Sequence, residues 1–230
     1  MNNINFFVYT GGKTGGSTLT TTLEYYYNKT QVLHTHSDYW LRKKHNYNDG
    51  VLNLIENNSK IHDEIYVFCV YREPISRTIS SFFQNLRKRY KSFEDLTTLN
   101  LINDFDNNNF FEMENYHPQI DILTRFFTTK DFEFDFTKSY VIKKKHNINF
   151  VFMRFDDLSI WGKILSEILK TEIILFSSNL STQKNYYKLY QDFKENYKVS
   201  DCICKNLIED KLLNIFHTEI ERDMIIKKWC

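Results

Sequence analysis

Lys13, Ser17 and Thr18 stand among four glycines in the segment Thr10-Gly11-Gly12-Lys13-Thr14-Gly15-Gly16-Ser17-Thr18. Glycines let a backbone fold close around a ligand. A helix that starts here presents unpaired N–H groups, which suit a phosphate. Lys13 adds a point charge, and Ser17 and Thr18 add hydroxyl donors. The apolar run Ile4 to Tyr9 before the glycines reads as a strand, and the stretch Ser17 to Asn28 after them as a helix. The loop is not that of a nucleoside triphosphatase. That pattern needs a glycine five residues before Gly12-Lys13-Thr14, and the position holds Phe7.

Two further groups of residues could join it. Arg72 directly follows Glu64 to Tyr71, a continuous apolar run of the kind buried on both faces of a sheet. That places Arg72 at the carboxyl end of a strand, where ligands bind in open α/β sheets. Ser80 lies on the next helix, expected from Ile75 to Tyr90, with Pro74 favourable in its first turn. An arginine at a strand end and a serine on the following helix can converge on one phosphate. Arg77 is expected on the surface or paired with Glu73. His34 and His36 alternate along a short strand, Gln31 to His36, so both point to one face, beside the glycine loop. Histidine suits a general base because its pKa lies near neutrality. A zinc site joining Asp38 and His45 is the weaker reading, since the spacing is not that of a closed site.

On these residues the chain resembles the sulfotransferases that use 3′-phosphoadenosine 5′-phosphosulfate (PAPS). Lys13-Thr14-Gly15-Gly16-Ser17-Thr18-Leu19 resembles their 5′-phosphosulfate loop. Arg72-Glu73-Pro74, with Arg77 and Ser80 following, resembles their 3′-phosphate motif. His34-Thr35-His36 with Tyr39 resembles the His-x-His-x-x-Tyr segment of uronyl 2-O-sulfotransferases, in which the second His is the base. Asn149 to Leu158 resembles their late strand and acidic-Leu turn. Asn179 to Phe193 resembles the Asn…Lys-x-Tyr segment of a related bacterial family of capsular polysaccharide synthesis proteins.

The resemblance implies a P-loop-like, three-layer α/β fold with a parallel sheet. It implies transfer of a sulfuryl group from PAPS to an acceptor hydroxyl, on a carbohydrate or polysaccharide. Gly12, Lys13, Thr14, Gly15, Gly16, Ser17, Thr18, Arg72, Ser80 and Lys184 are then the nucleotide-binding residues, with Gln183 and Asn185 beside Lys184. His36 is the base, His34 supports it, and Lys13 stabilises charge on the leaving oxygen. No metal is required. The alternatives are a nucleotide-binding kinase or hydrolase, and a non-catalytic glycan-assembly protein with the same fold.

The rest of the chain sets the frame. A length of 230 residues predicts a single domain over 1–230, with the Asn- and Asp-rich stretch 92–112 as an insertion or lid. Helices are expected over Asp49 to Asn57, Pro118 to Phe127, Leu158 to Leu169, Tyr186 to Tyr197 and Glu209 to Phe216. A further strand is expected over Asn149 to Phe155. Strands alternating with helices argue for a parallel sheet in three layers. The Lys143-Lys144-Lys145 run reads as a solvated turn, or as a contact for an anionic acceptor. A net charge of +1 gives no global field for nucleic acid or an anionic membrane. No apolar run approaches a membrane span. The early first strand leaves no room for a signal peptide, so the expected location is cytoplasmic, or lumenal after loss of a leader. Cys69 reads as a small core residue. Cys202, Cys204 and Cys230 form no metal pattern, and Cys202 and Cys204 are too close to suggest an ordinary disulfide framework.

Overall fold

A computed structural model describes residues 4–93, 95–108, 110, 117–127, 132–176 and 184–230. In chain order its elements are β1 (Phe6–Tyr9), α1 (Gly16–Tyr26), β2 (Val32–Thr35), α2 (Asp38–His45), α3 (Val51–Ser59) and β3 (Ile65–Tyr71). Next come α4 (Pro74–Gln84), α5 (Leu86–Arg89), α6 (Thr98–Asn107), α7 (Pro118–Phe126), β4 (Tyr140–Lys145) and β5 (Ile148–Arg154). The chain continues through α8 (Trp161–Leu169), α9 (Tyr187–Asn196), α10 (Asp201–Ile208), α11 (Lys211–Phe216) and α12 (Glu219–Trp229). Two units separate along this order. One is Met1–Arg72 with His117–Ser178, and the other is Glu73–Tyr116 with Asn179–Cys230.

The first unit holds the sheet, whose strands run in the order β2-β1-β3-β5-β4. β1 pairs in parallel with β2 and β3, and β3 with β5. β3 lies at the centre with β1 and β5 beside it, and every residue of Ile148–Arg154 is buried. This is the burial that a continuous apolar run anticipates. Val8, Phe68, Val70, Val151 and Met153 face one layer with Leu19 and Leu23 of α1 and Ile164 and Leu165 of α8. The alternate residues face the other layer, where the Phe150 ring lies 4.8 Å from Phe126 of α7. The architecture is therefore α/β, with a five-stranded, mainly parallel sheet flanked by helices.

The edge strand β4 departs from the sequence reading. It pairs antiparallel with β5, with Lys143 opposite Phe150 and Lys145 opposite Ile148. The lysine run is thus the end of a strand and not a turn. Its two apolar neighbours, Val141 and Ile142, are too few to set a period. Lysines on an edge strand discourage edge-to-edge pairing with other chains.

The second unit is helical among its described residues. Its core is aromatic, with the Phe82 ring 5.2 Å from Phe105 and Phe105 5.4 Å from Phe193. Within 92–112, α6 carries a capping box between Thr97 and Asn100 and buries Leu101 and Phe105 in this core. The helix expected from Ile75 to Tyr90 breaks at Asn85 into α4 and α5. Arg77 is not on the surface: it is 3% exposed, and its charge acts on the Asp210 carboxyl. Cys204 of α10 is bonded to Cys230, which caps α12, while Cys69 lies in the sheet core as expected. Among the described residues no helix is long and apolar enough to cross a membrane.

Glu73 caps α4, accepting from the backbone N–H of Ile75 at 2.7 Å and of Ser76 at 2.8 Å. A third donor is the Trp229 indole, 3.1 Å from Oε1. Both side chains are buried. Trp229→Phe removes one donor from a buried carboxylate, which costs about 1.5–3 kcal/mol. Urea unfolding should show a lower midpoint for this variant at an unchanged slope. An unchanged midpoint would show that the indole bond adds nothing to stability.

Candidate active site

Residues 10–15 connect β1 to α1 by a turn in which Lys13 and Gly15 are both left-handed, with φ of 64° and 83°. Gly15 adopts this conformation freely, whereas Lys13 does so against the preference of a side chain. The Thr14 hydroxyl closes the turn by donating to the Gly11 carbonyl at 2.8 Å. Gly15 is the N-cap of α1 and supplies no side-chain cap, and no acidic residue stands in the first turn. The helix therefore meets the loop with its positive end, the arrangement that suits an anion. Ser17 is exposed and Thr18 is buried. A Cβ on Gly16 would come within 2.5 Å of both His34 Nε2 and Thr10 Oγ1, so this position is closed to larger residues. Nothing lies within 4 Å of a Cβ at Gly12, so no contact demands glycine there.

The loop lies where the strand order reverses. β1 has β2 on one side and β3 on the other, and the parallel strands put all three carboxyl ends on one edge. This is the general ligand crevice of open α/β sheets. Arg72, one residue past β3, donates from Nη1 to the Lys13 carbonyl at 2.8 Å. Its guanidinium carbon lies 4.2 Å over the Phe155 ring, one residue past β5. Trp161, at the start of α8, is buried and donates to the Arg154 carbonyl at 2.9 Å. Its ring edge would be 2.7 Å from a Cβ on Gly15.

The histidines come from the other side of β1. His34 pairs with Val8 in the sheet register, and His36 follows just past β2. Their ring centroids are 4.7 Å apart, so they do share a face. The His36 Nδ1–H donates to the Thr10 carbonyl at 2.8 Å. That bond leaves the lone pair on Nε2 and orients the ring. Burial lowers the His36 pKa below 6.5, the Thr10 carbonyl opposes the shift, and the Lys44 charge adds to it. His36 is therefore neutral at physiological pH. Burial lowers His34 further, to about 3, with the charges of His36, Lys44 and His45 adding to the effect. His34 Nε2 and Thr10 Oγ1 are buried without hydrogen-bond partners, and both face Gly16. His45 donates from Nε2 to the His34 carbonyl at 3.1 Å.

The first unit thus brings together Lys13, Thr14, Gly15, Gly16, His34, His36 and Arg72. Ser80, on α4, and Lys184, just before α9, belong to the second unit. Gln183 lies outside the described residues, and Asn185 accepts from Arg87 at 3.2 Å. The carboxylates nearest in sequence are otherwise engaged. Asp38 accepts from the Val51 N–H at 2.8 Å, at the start of α3, and Glu73 caps α4. Among the described residues no group of three or more His, Cys, Asp or Glu is placed to hold a metal ion. Three contributors were not picked out by the sequence reading: the Thr10 carbonyl, Phe155 and Trp161. Only the aromatic ending of the β5 run pointed to Phe155.

Gly16→Ala should force His34 or Thr10 to move, at a cost of about 1–3 kcal/mol. A thermal melt of this variant should show a lower midpoint, and the matching Gly12→Ala variant should stay close to the unmutated protein. Equal effects of the two substitutions would contradict the described packing. Compared with protein-family models, with curated proteins and with solved structures, the chain matches none, so the chemistry of this site rests on its own residues.

Proposed function

We propose that this protein is a PAPS-dependent sulfotransferase acting on an acceptor hydroxyl, with a carbohydrate as the acceptor class. The observation that carries the reading is the His36–Thr10 hydrogen bond, which joins a neutral imidazole to the backbone of an anion-binding loop. The fit to a 5′-phosphate is supported by the uncapped α1 terminus and the two left-handed loop residues. The orphaned Thr10 hydroxyl beside that terminus supports it further. When bound, PAPS supplies a sulfuryl group already attached to a good leaving phosphate.

The chain's own residues then have distinct tasks. The N–H groups of Gly15 to Thr18 hold the 5′-phosphate. Lys13 supplies positive charge where negative charge grows, the type of contact that raises turnover. Arg72 spends one of its N–H donors on the Lys13 carbonyl and keeps the rest of its fork for the 3′-phosphate. His36 accepts the hydroxyl proton at Nε2. His34, packed on Gly16 and far below neutrality in pKa, orients its neighbour and takes no proton. Trp40 lies 5.9 Å from the His36 ring and is 44% exposed, with Tyr39 beside it at 60%. An exposed aromatic pair next to the base suits the apolar face of a sugar ring.

The direct test is calorimetric titration with adenosine 3′,5′-bisphosphate and with AMP. The bisphosphate should bind far more tightly, and Arg72→Ala should cost about tenfold or more in its affinity, as expected for a charge-assisted contact. Equal binding of the two nucleotides by the unmutated protein would overturn the assignment.

The pH profile tests the base. His36 must be neutral to act, and its pKa lies below 6.5, so kcat/KM should stay level down through that value. It should then fall by about tenfold per pH unit on the acid side of the shifted pKa. His36→Ala should lower turnover by about 10²–10⁴ and leave bisphosphate binding intact. Near-normal turnover in a folded His36→Ala variant would remove the base assignment.

A further inference from the structure

Phe155 lies just past the carboxyl end of β5, and no task has been given to it in the proposed reaction. Its ring is half-buried, with one face under the Arg72 guanidinium at 4.2 Å. Its edge faces Trp161, with ring centroids 6.5 Å apart in a T-shaped arrangement. Arg72 in turn holds the carbonyl of left-handed Lys13 at 2.8 Å. A guanidinium stacked on a ring keeps its plane, and hence the direction of its N–H donors. Phe155 also reaches the loop directly, since its Cδ2 would lie 3.5 Å from a Cβ on Gly15.

We infer that Phe155 is a positioning residue of the anion-binding loop, acting through Arg72 on the Lys13 carbonyl. It rests on the proposed sulfotransferase reading only for the choice of nucleotide probe. By fixing the Arg72 plane, Phe155 keeps Lys13 left-handed and the loop N–H groups turned toward the 5′-phosphate. A ring that merely filled space would affect the loop independently of Arg72.

The test is a double-mutant cycle. Phe155→Leu removes the ring face and keeps most of the apolar volume, Phe155→Tyr keeps the face, and Phe155→Met replaces the leucine variant should that fail to fold. Binding of adenosine 3′,5′-bisphosphate and of AMP is measured in each, with hydrogen exchange of residues 10–19. Phe155→Leu should weaken both nucleotides by about three- to tenfold, the range of a partly desolvated cation–π contact. Phe155→Tyr should match the unmutated protein. In an Arg72→Ala background, Phe155→Leu should add no further loss, because coupled residues are non-additive. Exchange in 10–19 should quicken in Phe155→Leu and go no faster in the double variant. Full independence of the two substitutions, or a loss confined to the bisphosphate, would overturn the inference. Should the unmutated protein bind neither nucleotide, the sulfotransferase reading fails, and the exchange data alone decide the role of Phe155.

Discussion

A left-handed Lys13 is the constraint around which the carboxyl edge of the first unit is arranged. A non-glycine residue in that region costs on the order of 1–3 kcal/mol and persists only where its surroundings impose it. Here the surroundings come from two strand ends and the start of a helix. Arg72 after β3 takes the Lys13 carbonyl, Phe155 after β5 supports Arg72, and Trp161 closes on Gly15. Left-handed residues in a turn are how a backbone gathers its N–H groups into a concave anion cradle. The strain is thus located where a ligand contact would repay it, and the groups that hold the turn from outside come from the ends of β3 and β5 and the start of α8.

The same loop backbone fixes the imidazole. His36 is oriented by a peptide carbonyl and not by a carboxylate. A carboxylate partner would raise the basicity of the ring and charge it at neutral pH. A carbonyl sets the tautomer while leaving burial and Lys44 to keep the ring neutral. Asp38, two residues on from His36 in sequence, is occupied by the Val51 N–H at the start of α3. The local charge balance therefore favours an uncharged His36 next to a loop that is itself electropositive.

Much of this was legible in the residue pattern because the signals are local. Strand, glycine turn and helix at 4–28 follow from apolar runs and punctuation, and the alternation of His34 and His36 predicts their shared face. Cys69 in the core follows from the run that contains it. What escaped depends on distant partners. β4 has too little apolar content to announce itself and exists because β5 offers it an edge. Arg77 is buried within reach of the Asp210 carboxyl, over a hundred residues away in sequence. α2 (Asp38–His45) and α12 (Glu219–Trp229) are rich in charge and weak in periodicity, so tertiary contacts decide them. At Gly12 the packing within the chain does not itself require a glycine, since a Cβ there would meet nothing within 4 Å.

Among the described residues β2 is bound to the sheet along one side, by β1. Its outer side is not left bare, since His45 at the end of α2 folds back onto the His34 carbonyl. The strand that carries the imidazole and the helix that carries Tyr39 and Trp40 are therefore one module at the margin of the fold. The anion loop, by contrast, is anchored to its interior through Trp161. On the proposed reading, selection has two separate handles. Substitutions in the β2–α2 margin can change which acceptor is taken, while the nucleotide end, locked into the core, stays as it is. A lineage of such proteins should diverge first in what it modifies and last in what it uses as donor.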